Sequence, residues 1–435
     1  MVPPWQAPDE PKYLEYIWLL HEKGRLISPD DASLSMQQEI IWSMAQYDYW
    51  TLSGRPQPSS LPDSFEGVWG LSSSVLGSPP LAFLFSLPAF ALVSKADIVT
   101  QLYVLRLTSV LLGVSVVVLA YFVAREVFSS DSLVTRTVPA FLLFMPMYSF
   151  IAGSYTNELM SDFAAALWLY VMVVILKRGG SALRGTALLI TLAMAYLSKR
   201  SGLFLIPLTA IFVPFLVSRG KGLGRAVTIS LLGTGGVALL VLIVASLPQE
   251  GLRYALLDRY FWNGLGAFLR TFGAHDYFSY AYLSLLVKYF QITFESFWGV
   301  FGWMNIRLDE IWYWAIGSLG LTATLGLVLI ILPRPEERNS LAASQRSVLL
   351  LCMVAIVFAI APVIVQYSSE FNPRAVPQGR YLFPVVIPVS LLMVVGLRRV
   401  TPRALASVFP SLLIAFMFLF DTASLALYIY PFYYG

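Results

Sequence analysis

Cysteine and histidine are nearly absent: the 435 residues hold one Cys, Cys352, and two His, His21 and His275. A single thiol inside an apolar run excludes an intrachain disulfide and a thiolate metal site. Two imidazoles are too few for a histidine-rich zinc centre, although a hard cation held by carboxylates stays open. Charge is scarce as well. Only 12% of the residues are charged against 57% hydrophobic, too little polar surface to cover a water-soluble globule. The formal charge of +4 is small. Lys and Arg fall in short clusters between apolar runs, as topology signals do, and imply no nucleic-acid partner. No glycine-rich loop precedes a Lys-Ser or Lys-Thr pair, so no ATP site is implied. The short alternation of an outer-membrane barrel is missing too.

What is present is a series of apolar runs of about twenty residues, long enough to cross a hydrocarbon core of about 30 Å as helices. The expected fold is an all-α polytopic membrane protein with about ten transmembrane helices. Spans are expected at about 103–124, 134–151, 157–176, 185–198, 201–217, 226–247, 311–332, 347–367, 380–397 and 403–430. Two further stretches are ambiguous: 80–94 is short and holds Pro80 and Pro88, and 284–304 holds Lys288 and Glu295, charges that are costly at mid-membrane. If neither crosses, the basic loops around Arg125, Lys177, Arg219, Arg334 and Arg398 share one face, the cytoplasm. The stretch 284–304 then reads as a re-entrant or interfacial helix. Four regions follow: an extracytoplasmic first loop at 1–101, a transmembrane module at 102–247, an extracytoplasmic loop at 248–310 and C-terminal transmembrane helices at 311–435. Within the first loop, helices are expected from Pro11 to about Lys23 and from about Pro29 to Tyr49, the second opened by "SPDD", both amphipathic and lying along the membrane surface. Residue 1 begins outside on this reading, which leads us to expect a further N-terminal span upstream of Met1.

Four polar motifs stand on the extracytoplasmic side. In "PDEP", Asp9 either caps the Pro-initiated helix or, held between prolines, acts as a general base on an acceptor hydroxyl. Glu10 orients an acceptor or helps hold a divalent cation. "GSYTNELMSD" (153–162) is either a polar helix start or a cavity mouth at which Asn157, Glu158 and Asp162 bind sugar hydroxyls. "YLSKRSG" places Lys199 and Arg200 on the outer side, as snorkelling cations or as a phosphate site. "PQGRYLFP" (377–384) supplies Arg380, an interfacial anchor or a two-pronged phosphate ligand. "FWGVFGWMN" (297–305) reads as a packing or interface element.

The order of these motifs resembles the GT-C membrane glycosyltransferases that use polyprenyl-phosphate-linked sugars, and looks closest to a bacterial and archaeal multipass group of that type. "PPWQAPDEPKY" (3–13) matches that group's acidic first-loop motif, "SPPLAFL" (78–84) its His-Pro-Pro-Leu segment, 154–159 its Asn-Asp turn and "PQGRYLFP" its late motif. Tyr13, Ser78 and Glu158 stand where the group often has His, His and Asp. The resemblance implies Asp9 as catalytic base in an inverting attack on the anomeric carbon. It also implies Lys199, Arg200 and Arg380 on the leaving phosphate, and sugar or acceptor contacts from Tyr13, Asn157, Glu158, Asp162, Gln378 and Tyr381. The implied partners are a polyprenyl-phosphate sugar donor, a lipid, glycan or protein acceptor and membrane lipids, in the plasma or inner membrane. Two other readings use the same residues: a transporter or flippase of lipid-linked sugars, and a non-catalytic assembly protein. Transporters commonly carry paired repeats with helices broken at mid-membrane; no internal repeat is visible here.

Overall fold

The structure, a computed structural model, describes residues 2–70, 75–129, 131–218, 280–331, 343–369 and 377–435. The expected span 226–247, most of the loop 248–310 and the basic residues Arg219, Lys221, Arg225, Arg334 and Arg338 lie outside the described residues. The rest is helical, with one two-stranded antiparallel hairpin, β1 (Val300–Phe301) and β2 (Ile306–Arg307). The first loop carries α1 (Glu10–Lys23), α2 (Leu34–Gln46), α3 (Tyr49–Leu52) and α4 (Phe65–Trp69). There follow α5 (Leu81–Val93), α6 (Ile98–Val127), α7 (Ser132–Leu143), α8 (Pro146–Ala152), α9 (Glu158–Arg178), α10 (Ala182–Ser198) and α11 (Leu205–Ser218). After the undescribed stretch come α12 (Tyr280–Gly299), α13 (Glu310–Ile331), α14 (Ala343–Ser369), α15 (Val386–Val400) and α16 (Phe409–Ala423).

Six helical segments among the described residues are long and apolar enough to cross a membrane, in α6, α9, α13, α14, the stretch Gly379–Val400 and the stretch Phe409–Tyr434. They coincide with expected spans. The run 134–151 is instead a broken pair, α7 and α8, bent by 62°. Pro146 explains the break, because it opens α8 without an N–H to continue α7's ladder. α5 and α10, at 13 and 17 residues, are shorter apolar helices. α12 has 20 residues but does not meet the same apolarity test. It packs on the 3-10 turn Gly379–Val385.

Caps fix several helix ends. The Asp97 carboxylate accepts from the Val99 and Thr100 amides to start α6, and Asp131 accepts from Leu133 and Val134 to start α7. The "SPDD" signal starts a 3-10 turn, Pro29–Asp31, rather than the long helix expected there. Asp31 is drawn back to the Ser28 backbone and side chain and is held by Lys23 and Arg25, so the main helix begins only after Ser33.

The stretch Gly379–Val400 lies at the centre, with 89% of its apolar window buried, against 17% for α13. α13 nevertheless reaches α15 closely. A side chain on Gly326 would collide with the Gly396 carbonyl, and one on Gly396 with the Ala323 carbonyl, so the two backbones meet without intervening side chains. A second core gathers Trp5, Leu14, Ile17, Ile40, Met44, Phe83, Phe90, Leu102, Leu105 and Tyr155. α1 is buried on most of its surface within it, more fully than one apolar face against a membrane surface requires.

Helix ends collect at two poles. At one, Arg178 pairs with Glu126, Arg398 bonds Asp131, and Gln345 donates to the Val127 carbonyl. α6 is about 45 Å long at 1.5 Å per residue, and near its other end lie the first loop, the α8–α9 turn and the hairpin. There Trp303 Nε1 donates to the Trp5 carbonyl and Asn305 Nδ2 to the Leu52 carbonyl.

Candidate functional site

Asp9 precedes α1 in a left-handed conformation, φ 66°, and its side chain makes no cap hydrogen bond. The backbone carbonyl does the local work, accepting from the Lys12 and Tyr13 amides. The carboxylate is left to face other segments. Lys12, one turn along α1, brings its ammonium to 3.7 Å from one oxygen, and Arg380 Nη2 lies 3.4 Å from the other. Burial raises the Asp9 carboxyl, but the charges of Arg380, Lys12 and Lys199 outweigh it and hold the group below the ordinary aspartate value.

Arg380 is 3% exposed and serves two acids, since its Nε also lies 3.5 Å from Glu158 Oε1. Lys199, at the end of α10, bonds the same Glu158 oxygen. A chain of alternating charge therefore runs Lys12, Asp9, Arg380, Glu158, Lys199, assembled from α1, the Gly379–Val385 turn, the first turn of α9 and the end of α10. Tyr381 sits against two of these cations, with Lys199 Nζ 5.4 Å and the Arg380 guanidinium carbon 5.5 Å from its ring centre. Tyr13 is buried, and desolvation, then Asp9 and Glu158, push its hydroxyl well above the ordinary tyrosine value. It therefore stays neutral.

The turn before α9 brings further polar atoms. Asn157, Glu158 and Asp162 are 5%, 2% and 1% exposed. Asn157 Oδ1, Glu158 Oε2 and both Asp162 oxygens have no hydrogen-bond partner among the described residues. Native structures leave few such groups; here several share one helix start.

The Gly379–Val385 turn is pinned rather than loose. The Gly379 amide donates to Ser296 Oγ at 2.8 Å, and a Cβ on Gly379 would overlap the Phe297 backbone. Glycine is what lets this turn close on α12 and present Arg380 beside it.

Of the residues singled out in the sequence, Asp9, Glu158, Lys199 and Arg380 are joined directly by ion pairs. Asn157 and Asp162 flank Glu158 on α9, Tyr381 lies against the cations, and Gln378 precedes their turn. Arg200 opens a short 3-10 turn, but its side chain lies outside the described residues. Glu10 is elsewhere engaged. Arg106 grips both its oxygens, and the Tyr155 amide donates to one of them, so the acceptor-orienting or metal-holding role expected of Glu10 gives way to a structural ion pair. Among the described residues no three His, Cys, Asp or Glu side chains gather to hold a metal ion. With Asp9 between two cations and Glu10 bound by a third, the pair does not fit a divalent cation.

Three contributors went unnoticed in the sequence. Lys12 stands three residues after Asp9, a spacing that puts both on one helix side. Trp69 lies under Lys12, 4.7 Å from ammonium to ring centre, and stacks on Trp303. Arg106 is a charge inside an apolar span, which is itself a signal.

Among solved structures the chain is similar to ArnT from Cupriavidus metallidurans, at 17% identity and TM-score 0.44 in the apo state, covering 93% of this chain and 58% of that one. The undecaprenyl phosphate-bound form of ArnT aligns at 16% and 0.46, covering 96% and 65%. An oligosaccharyltransferase from Archaeoglobus fulgidus aligns at 15% and 0.45, covering 82% and 47%. The chain thus spans less than two thirds of the length of each of these relatives. Likeness at these scores carries no functional conclusion. No curated protein matches the sequence. The family model described as "Predicted membrane protein (DUF2142)" matches residues 76–389. That range is well over half the chain and contains Glu158, Lys199 and Arg380 while leaving Asp9 before it, and the chain belongs to the DUF2142 family of membrane proteins.

Proposed function

We propose that the protein is a membrane glycosyltransferase of the GT-C type, transferring a sugar from a polyprenyl-phosphate donor to an acceptor hydroxyl at the extracytoplasmic face of the plasma or inner membrane. The observation that carries this reading is the ion-pair chain in which Arg380 stands between Asp9 and Glu158, with Lys199 beyond. It sets a carboxylate base next to cations suited to a leaving phosphate.

In the proposed step Asp9 takes the acceptor's hydroxyl proton as its oxygen bonds to the anomeric carbon from the face opposite the phosphate. The carbon–oxygen bond to the phosphate breaks, and the electron pair leaves on the phosphate. Arg380 and Lys199 stabilise that growing charge, a contribution often larger than any other in catalysis. The donor phosphate would draw Arg380 away from Asp9 and so strengthen Asp9 as a base when donor is present. The unpartnered oxygens of Asn157, Glu158 and Asp162 would accept hydrogen bonds from sugar hydroxyls, and Tyr13, Gln378 and Tyr381 would line the same space. No step is assigned to a metal.

The test is transfer from radiolabelled polyprenyl-phosphate sugars to membrane extract by the purified protein. Asp9→Asn should reduce transfer by about 10²-fold or more. Undiminished transfer would remove Asp9 as base, and lipid translocation without transfer from any donor would make the protein a flippase.

A further inference from the structure

Arg106 is 4% exposed and Glu10 completely buried. Arg106 belongs to α6, about 12 Å along the helix from its start. Its Nε donates to Glu10 Oε1 at 2.8 Å and its Nη2 to Oε2 at 2.7 Å. Two further N–H groups go to the backbone: Nη1 donates to the Val2 carbonyl at 2.6 Å and Nη2 to that of Pro3 at 3.0 Å. Glu10 Oε1 also accepts from the Tyr155 amide at 2.9 Å. Thr156, next in the chain, donates its amide to Ser109 Oγ on α6. One ion pair therefore ties together the start of the chain, α6 and the turn that begins α9.

Stability alone accounts poorly for this arrangement. A buried ion pair is weak evidence for stability, because desolvation can exceed the attraction, and an arginine within an apolar span is costly without a specific use. The one guanidinium grips residues 2, 3 and 10, on either side of Asp9. Asp9 itself holds a positive φ, an uncommon backbone conformation for a non-glycine residue that its surroundings must maintain. The pair also orders the turn that supplies Glu158, so one guanidinium sets both acids that Arg380 meets.

We propose that Arg106 and Glu10 are positioning residues that hold Asp9, and with it the α9 turn, against Arg380. This rests on the reading of Asp9 as the base, yet the placement can be measured without any transfer reaction. In the full-length protein with Cys352→Ala, Asp9→Cys puts the sole thiol at the site, and a water-soluble maleimide reports its thiolate as a function of pH. Beside Arg380 and Lys12 that thiolate should form well below the usual cysteine value of about 8.5. Adding Arg106→Met should return the midpoint toward that value, so labelling at pH 6.5 falls about tenfold per unit. Glu10→Gln should act in the same direction, and Arg106→Lys should fall between. An unchanged midpoint in both Arg106→Met and Glu10→Gln overturns the proposal.

General loosening is read separately. In proteins that keep Cys352 and Asp9, the buried Cys352 should stay unlabelled. If Arg106→Met exposes it, Glu10→Gln carries the comparison. The two readings also fail differently: a shifted midpoint with transfer undiminished in Asp9→Asn keeps the clamp and removes the base. An unshifted midpoint with transfer lost in Asp9→Asn does the reverse.

Discussion

At the scale of single residues, the site depends on one guanidinium shared by two acids. Arg380→Lys keeps the charge but loses the fork that reaches Asp9 and Glu158 together, so the KM for donor should rise about tenfold or more while acceptor KM changes little. Equal effects on both substrates would mean that Arg380 does not grip the donor. The pH dependence has a defined sign. Because Arg380, Lys12 and Lys199 hold Asp9 below its ordinary value, the carboxylate form is lost only as pH falls through that depressed value. The kcat/KM profile should therefore show no Asp9 acid limb above about pH 4. Arg380→Met removes the first of the lowering charges and leaves burial in place, so a limb should emerge at higher pH. A wild-type limb near pH 6 would contradict the placement of Asp9 among cations.

At the scale of elements, the close contact between the Gly379–Val385 turn and α12 is the most exacting joint near the site. Gly379→Ala has no room against the Phe297 backbone and should cost about 1–3 kcal/mol through overpacking. A lowered melting temperature in detergent and a raised donor KM would check this; a variant with both unchanged would show that the turn is not held as described. "PQGRYLFP" drew attention to Arg380 in the sequence as an interfacial anchor or a phosphate ligand, but its two acidic partners, Asp9 and Glu158, lie far off in the chain and no local pattern names them. The long apolar helices were legible, since length and composition are local properties. The break between α7 and α8 was written locally too, in Pro146 within an apolar run. Arg106 was not readable in the same way. A charge in α6 announces a partner, but Glu10 lies 96 residues away in sequence, and no local pattern names it. The same distance misled the reading of Glu10, whose neighbour Asp9 faces the cations while Glu10 itself serves α6. Nor could the enclosure of α1 be foreseen, because one apolar stripe looks alike whether lipid or a second core covers it.

At the scale of the whole molecule, the two poles carry different chemistry. Arg178, Arg398 and the start of α14 gather at one, and the charge chain around Arg380 lies toward the other with the first loop. In the orientation proposed from the positive-inside bias the former faces the cytoplasm, which would place the proposed base and the donor phosphate outside. Membrane-impermeant maleimide on intact cells can separate the two sides in a Cys352→Ala background. Ser59, exposed in the first loop, and Ala404, exposed just beyond α15, are suitable reporters. Ser59→Cys should label in intact cells. Ala404→Cys should label only after the membrane is opened. The opposite pattern would put the site on the cytoplasmic face and remove an extracytoplasmic transferase from consideration, whereas labelling of both in intact cells would mean that the poles are not on opposite sides of one membrane. The outcome also bears on substrate supply: with the site outside, a cytoplasmic nucleotide sugar cannot serve as direct donor, and a lipid-linked sugar already carried across the membrane is the class of donor that can reach Arg380.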